Sequence, residues 1–465
     1  MKIRKLCVTL LVSVAVVFSA FGEDSQKSEK NKLEITVDSA VESALKTHVS
    51  IKRESIELNQ AERNYKHSWN NFLPSISASV TGSASDSSSY TSGETLTASG
   101  SLDASLSLNA SLAQKIEILK QAYESGKADY EDTVREVETT VRKSFYSILY
   151  QQKKVESYKS SLDSYLNQYN QTKIKRNSGL VPELDLLTAE VNLKSAQVAL
   201  KTAEKTYYNA AIEFLNEIGI EINPSETEVI FAGSLDDADL IQEVKLKNLT
   251  KEKIDELVES SPEVRSLKSS LDSAKLTKTY TAVSAYSPSL KLSASVTPKE
   301  LSYTVKNSDK STGNSWNASV GISIPLDSLV PGSSSRDSVS EKDDSVKDLE
   351  LQLEDKRKSL RTSIVEKVHS IEISRETLEE RKLNVELAQK TYQMTYTAYR
   401  NGTKDLLALQ NALTSYQEAE VEWRSEQYNL MSYVLDLENL LGIPSGSFTK
   451  NAESQNESSE TEKGN

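Results

Sequence analysis

Cysteine is nearly absent from this chain. Cys7 is the only one among 465 residues, and it lies in a stretch read below as a removable leader. Without thiols there is no disulfide, no thiolate metal site and no lipid-modified N-terminal cysteine. Histidine is almost as scarce: His48, His67 and His369 fit no His-Glu-x-x-His or Cys/His pattern with metal spacing, so no metal is expected. The 15 glycines never gather into a phosphate-cradling loop. No cofactor is therefore expected, and energy for any transport must come from a partner. Carboxylates are plentiful, but they stand among Lys and Arg on helix faces as ordinary solvated charge. Enzyme activity is not expected. The net charge of −13 argues against nucleic acid as a partner, because phosphate contacts need clustered Lys and Arg.

Long apolar runs are missing too, except at the start. Lys2, Arg4 and Lys5 precede an apolar stretch from Leu6 to Phe18, and Ser19-Ala20-Phe21-Gly22 offers small residues for cleavage after Ala20 or Gly22. Residues 1–22 read as a secretory signal; the alternative, a membrane anchor, needs about 20 apolar residues and the run is shorter. Every later apolar run is broken by Ser, Lys or Glu within a few residues.

What the chain does have is two copies of one long module. Phe72-Leu73-Pro74-Ser75-Ile76 with Ser77-Ala78-Ser79-Val80 returns as Tyr286-Ser287-Pro288-Ser289-Leu290 with Leu292-Ser293-Ala294-Ser295-Val296. Asn177-Ser178-Gly179 with Asp185-Leu186-Leu187 returns as Arg400-Asn401-Gly402 with Asp405-Leu406-Leu407. Both copies close on a leucine-rich helix ending in glycine, at Gly219 and Gly442. The period is far too long for a solenoid unit, so the chain is a fused duplication. The expected organisation is a signal at 1–22, a first repeat at 33–222, a connecting segment at 223–250, a second repeat at 251–444 and a disordered acidic tail at 445–465. Each repeat reads helix, β-hairpin (74–112 or 288–326), long helix, return helix.

From Leu96 to Leu112 apolar and polar residues alternate almost without a break, which means a strand with one apolar and one wet face. Ile76, Ala78 and Val80 continue the apolar parity upstream, across a Ser/Gly/Thr turn at 87–93. The second copy repeats the device with Leu290, Leu292, Ala294 and Val296, then Trp316, Ala318, Val320, Ile322, Ile324 and Leu326. A soluble hairpin also alternates, but its strands average ~5–6 residues, whereas a membrane barrel needs ~9–11.

Proline is absent from Leu112 to Asn177. Tyr130, Val137, Ser144, Gln151, Tyr158 and Tyr165 recur a heptad apart, with Val134, Val141, Ile148, Val155, Leu162 and Tyr169 as companions. That is a coiled-coil seam. Ile364, Ile371, Leu378, Val385, Tyr392 and Tyr399 repeat it in the second copy.

Four strands are too few to close a barrel, and open edges are not tolerated in hydrocarbon. The fold class expected is therefore a mixed α/β membrane protein, a homotrimer whose chains give four strands each to a twelve-stranded β-barrel. The barrel would stand in the outer-membrane lipid on a long periplasmic α-helical coiled-coil tunnel. The alternative is an exported coiled-coil structural or adhesin protein, which the heptads suit but the repeated hairpins do not.

In these motifs and their order, from about Leu33 to Ile443, the chain resembles the TolC-like outer-membrane efflux proteins. The resemblance rests on Leu73-Pro74 and Ser287-Pro288 before the strands, Gly179-Leu180 and Gly402-Thr403 at the helical tips, the two Asp-Leu-Leu runs, and Ile322-Ser323-Ile324-Pro325-Leu326. It implies a trimeric exit duct for a tripartite efflux pump or a type I secretion system, with an inner-membrane transporter and a periplasmic adaptor as partners. It further implies that Gly179, Leu180, Val181, Gly402 and Thr403 meet the adaptor, and that Asp405 makes an acidic ring at the entrance. The family closes that entrance with polar links between helices, and the matching positions are Tyr399, Lys404 and Asp185. The plainer reading is that Tyr399 continues the heptad seam and Lys404 is a solvated charge. Two departures stand out: the turn after Gly402 is shorter than the one after Gly179, and Ala408 sits where some members carry a second entrance aspartate.

Overall fold

The computed structural model describes residues 31–85, 95–221, 227–236, 251–298, 302–306, 309–311 and 314–448. The signal at 1–22, the hairpin turn at 87–93, most of the connecting segment at 223–250 and the tail beyond 448 lie outside the described residues.

The first copy runs β1 (Asn31–Ile35), α1 (Val37–Thr47), α2 (Val49–Lys66), β2 (Ser75–Ser85), β3 (Thr95–Asn109), α3 (Leu112–Asn177) and α4 (Glu183–Glu217). β4 (Thr227–Phe231) lies in the connecting segment, and the second copy runs α5 (Lys251–Ser260), α6 (Pro262–Tyr286), β5 (Ser289–Thr297), β6 (Ser302–Lys306), β7 (Asp309–Ser311), β8 (Ser315–Ser323), α7 (Ser334–Arg400) and α8 (Leu406–Leu441). The long helices α3 and α7 hold 66 and 67 residues, about 100 Å each at 1.5 Å per residue. Each packs antiparallel against its return helix, α4 or α8, and α3 also packs on α8, which joins the copies.

The helices before the hairpins are each broken once. His48 ends α1 and begins α2 with an extended backbone (ψ 132°), its Nδ1 accepting the Ser50 amide at 3.3 Å. Ser261 separates α5 from α6 and caps the latter, its hydroxyl accepting from the Val264 amide at 3.4 Å, with Pro262 in the first turn. Sequence reading missed β1 and β4. They pair in parallel, Leu33 opposite Val229 and Ile35 opposite Phe231, but each is only 5 residues, too short for alternation to announce it.

The remaining strands form one sheet. β2 lies along one edge of β3, while β5 and β6 follow each other along its opposite edge; β8 pairs β5 and β7 pairs β6. The second hairpin is thus interrupted, each of its strands appearing in two pieces, with Pro298 ending β5 because it has no amide to donate. Among the described residues the sheet is four strands wide, and β2 and β8 keep free edges. Register keeps parity across all four: Ala78 faces Leu102, Leu102 faces Val296, and Val296 faces Trp316. One face is therefore chiefly Leu, Ala, Val and Ile with Trp316, and the other chiefly Ser, Thr and Asn with Asp103 and Lys291. Serine pairs bridge the polar face, Ser79 to Ser101 at 2.9 Å and Ser293 to Ser319 at 2.6 Å. The apolar face is bare: Val80 is 84% and Trp316 78% exposed.

Core packing concentrates away from both the sheet and the tips. In the first copy Phe145 meets Phe214 and Phe231 edge to face, centroids 6.0 Å away in each case, amid Val141, Ile148 and Leu215. In the second, Ile364 and Ile371 pack with Leu430, Met431, Val434 and Leu437. The expected heptad seam of α3 holds at Val137, Val141 and Ile148 and then moves. Beyond Gln151 the buried residues are Ser157, Ser161, Gln168 and Thr172, while Tyr158, Leu162, Tyr165 and Tyr169 are only half-buried. An α-helix drifts about 20° per heptad against a 3.5-residue repeat, so a stripe chosen at one end leaves the seam at the other.

The tail expected from Ser445 begins in contact with the body. Glu438, fully buried on α8, accepts the amides of Gly446 and Phe448, both at 2.8 Å. Among the described residues no helix is long and apolar enough to cross a membrane.

Candidate functional site at the helical tips

Each long helix stops at a glycine in the left-handed region, Gly179 at φ 71° and Gly402 at φ 77°. A Cβ at either would meet nothing within 4 Å, so the backbone angle alone calls for glycine. The two caps match. The Leu180 amide donates to the Lys175 carbonyl at 2.9 Å, and the Thr403 amide to the Ala398 carbonyl at 2.9 Å. Both bonds satisfy carbonyls that the helix end leaves free.

The tips then diverge. After Gly179 come Leu180, 74% exposed, and half-buried Val181; Pro182 leads into α4, whose first turn carries Glu183 and Asp185. Arg176 and Glu183 span this turn at 3.4 Å, an exposed pair. After Gly402 the chain enters α8 at Leu406, as many residues on as Glu183 of α4 lies from Gly179, so the expected shorter second turn is not found and Asp405 matches Pro182 in position, not Asp185. Asp405 is the N-cap, its Oδ1 accepting the Ala408 amide at 2.8 Å. Its carboxylate stays exposed.

Of the expected gate residues, Tyr399 is the one that the fold encloses, at 3% exposure, amid Ala189, Leu406 and Leu409. Its hydroxyl lies 2.9 Å from Thr172 Oγ1, its carbonyl accepts from Lys175 Nζ at 2.8 Å, and that ammonium sits 3.8 Å from the ring centroid. Burial pulls the Lys175 ammonium below its ordinary pKa. Gln171 donates to the Tyr396 hydroxyl at 2.7 Å one turn away. Lys404 is exposed and Asp185 half-buried, and neither takes part in a hydrogen bond or ion pair among the described residues of one protomer. Thr172 and Lys175 escaped sequence reading. In the last turn of α3, Lys175 looks like a solvated charge, and only the fold brings it to a tyrosine in the other copy.

Long antiparallel helix pairs that carry an open amphipathic sheet at one end and glycine-capped tips at the other define a TolC-like outer-membrane channel fold. The chain belongs to the outer membrane efflux protein family, whose profile matches residues 40–219 and 254–443. Among solved structures it is similar to CusC, described with its transmembrane channel formation: 15% identity, TM-score 0.70, covering 88% of this chain and 92% of that one. It is also similar to the CmeC outer membrane channel of Campylobacter jejuni, at 16% identity and TM-score 0.67, covering 91% of this chain and 89% of that one. The open state of the MtrE outer membrane channel of Neisseria gonorrhoeae gives 17%, 0.67, 89% and 91%. At such identities the likeness is one of fold. No curated protein matches the chain by sequence. The family and these neighbours are channel proteins rather than enzymes.

Proposed function

We propose that this protein is the outer-membrane exit duct of a tripartite efflux pump or type I secretion system, working as a homotrimer. The observation that carries the reading is the sheet. Among the described residues it has one bare apolar face, one polar face and unpaired outer edges, and hydrocarbon accepts such a sheet only when its edges are closed. Pairing β2 of one copy with β8 of the next, three times round, closes twelve strands, an ordinary barrel size. The apolar face then meets lipid and the Ser/Thr/Asn face lines the lumen. The helices extend into the periplasm as a tunnel. Its tips, with Leu180, Val181 and Thr403 around Gly179 and Gly402, meet a periplasmic adaptor that links the duct to an inner-membrane transporter. Weak contacts suffice there, because the tips of a trimer bind together.

In this reading Asp405, in three copies, forms an acidic ring at the entrance, and Tyr399, Lys404 and Asp185 hold the mouth narrow. Since Lys404 and Asp185 have no partner among the described residues of one protomer, their link would join neighbouring copies. Single exposed pairs are worth roughly 0–1 kcal/mol, which suits a gate that a partner must open.

The test is the parity of the sheet. A charge on the lipid face costs ~2–4 kcal/mol at mid-bilayer and little on the lumen side. Leu106→Lys should prevent trimers from accumulating in outer-membrane extracts, whereas Ser107→Lys should assemble like the parent. Equal trimer yields would end the barrel reading, and a parent released by osmotic shock would favour an exported coiled-coil scaffold.

A further inference from the structure

Near the tip, α3 turns a polar stripe toward the second copy: Ser161, Gln168, Thr172 and Lys175. Ser161 Oγ donates to Gln417 at 2.8 Å. Gln168 is 1% exposed, yet neither its amide oxygen nor its nitrogen has a hydrogen-bond partner among the described residues. Gln410 Nε2, buried on α8, has none either. Unpartnered buried amides cost free energy instead of supplying it. These amides therefore add little hold, and the end of α7 is fastened by Gln171 on the Tyr396 hydroxyl at 2.7 Å and, one turn further on, at Tyr399.

We propose that Lys175, assisted by Thr172, is the positioning residue that seats the end of α7 on α3 and so keeps the entrance closed, an inference that rests on the duct reading above. Lys175 forms an ion pair with no carboxylate among the described residues. Its ammonium is given wholly to Tyr399, by a 2.8 Å bond to the carbonyl and a position 3.8 Å from the ring centroid. That carbonyl lies in the last turn of α7, where the helix dipole is negative and a cation is favoured. A ring face adds its own attraction for the cation. Thr172 fixes the other end of the same tyrosine through its hydroxyl at 2.9 Å. Tyr399 is thus held at its backbone carbonyl, ring and phenol by two residues a single turn apart on α3.

The duplication makes the latch one-directional. The residue four before Gly179 is Lys175, but the residue four before Gly402 is Ala398. Only the first copy carries the cation, and only the second carries the enclosed tyrosine, at 3% exposure. Movement of the α7–α8 pair away from α3 must break this contact. The neighbouring glutamines would then gain water rather than lose partners.

The experiment uses the full chain in planar bilayers with potassium chloride as the conducted probe, beside hydrogen exchange of the α7 end around Tyr399. Loss of a charge-assisted hydrogen bond shifts a two-state balance by about tenfold or more. Lys175→Met, which keeps the bulk but removes the charge, should raise the open fraction by about that factor and speed exchange at the α7 end. Lys175→Arg should stay near the parent, and so should Lys159→Met, an exposed lysine higher on the same helix. Thr172→Val should give the same change more weakly, and it serves as the reading if Lys175→Met assembles poorly. A parent that conducts while Lys175→Met opens no more often overturns the latch and leaves the duct reading standing. A parent that never conducts ends the duct reading, and unchanged exchange in Lys175→Met ends the latch whatever the conductance.

Discussion

Over its waist half, α3 buries Val137, Val141, Phe145, Ile148 and Leu149, and over its tip half it buries Ser157, Ser161, Gln168 and Thr172. One continuous helix is thus an apolar strut at one end and a polar contact at the other. The first half sits in an aromatic core closed by Phe214 and Phe231. The second meets α7 and α8 through hydroxyls, amides and a small cluster of Ala189, Tyr399, Leu406 and Leu409. Dry packing loses many contacts at once when it opens, whereas polar links can be exchanged for water one by one. On the duct reading proposed above, the difference teaches where motion belongs, at the tip and not at the waist, as uneven local stability allows.

The comparison breaks most sharply at Phe145, fully buried at the waist. Phe145→Ala should cost about 3–5 kcal/mol, the usual penalty for emptying an aromatic site. The apparent thermal midpoint of the purified protein should fall far more than in Thr172→Val at the tip. Comparable losses would mean that the two halves are equally firm.

Glu438 tests the waist through pH. Burial pushes its carboxyl above the ordinary value of 4.5, although the Phe448 and Gly446 amides and Arg142 pull the other way. A carboxyl raised in the folded state holds its proton more readily folded than unfolded. Its contribution is therefore largest below 4.5 and is lost as pH rises through the folded value. Groups such as Asp343, lowered to about 2 by hydrogen bonds from Lys278 and Lys347, act oppositely, losing stability as pH falls below 3.8. The midpoint should thus rise as pH is lowered toward 4.5. In Glu438→Gln that slope should flatten. One of the two amides then faces a donor, so stability at pH 7 should also drop by about 1–3 kcal/mol. An unchanged slope would show that Glu438 does not titrate in this window.

At the tip, apolar replacement should do the opposite of what it does to a working polar contact. Gln168 and Gln410 bury amide atoms without partners, so Gln168→Leu with Gln410→Leu should stabilise the seam by about 1–2 kcal/mol. Amide exchange over the start of α8 should slow, and opening should become rarer. Faster exchange would show that these amides are satisfied through water.

Sequence patterns marked the waist better than the tip, for a physical reason. Alternation in β3 and the heptads around Val141 are strong because buried apolar residues must recur with the period of their element. The tip half buries Ser, Gln and Thr, which no hydropathy pattern distinguishes from surface. Tyr399 stood out as a heptad member and by resemblance, but its partners Thr172 and Lys175 did not. Their |i−j| separations from it, 227 and 224, make the contact a product of the duplication's packing. β1 and β4 escaped notice because each is only 5 residues long, and they meet from opposite ends of the first copy.

The smallest effect expected is at Asp405, where one carboxylate has two candidate roles. The fold gives it a local one as the N-cap of α8, through the 2.8 Å bond from the Ala408 amide. The entrance reading adds a second, a threefold ring that draws cations and is blocked by trivalent metal through shared carboxylate oxygens. Two substitutions separate them. Asparagine caps a helix about as well as aspartate, so Asp405→Asn should leave stability unchanged while abolishing metal block from the periplasmic side. Asp405→Ala should lose the block and also cost about 1 kcal/mol, the ordinary worth of a cap. Conductance should barely rise in either, since on the proposed latch Tyr399, Thr172 and Lys175 are left in place to hold the mouth. If Asp405→Asn is blocked as strongly as the parent, the carboxylate is a cap alone and the entrance takes its charge from elsewhere.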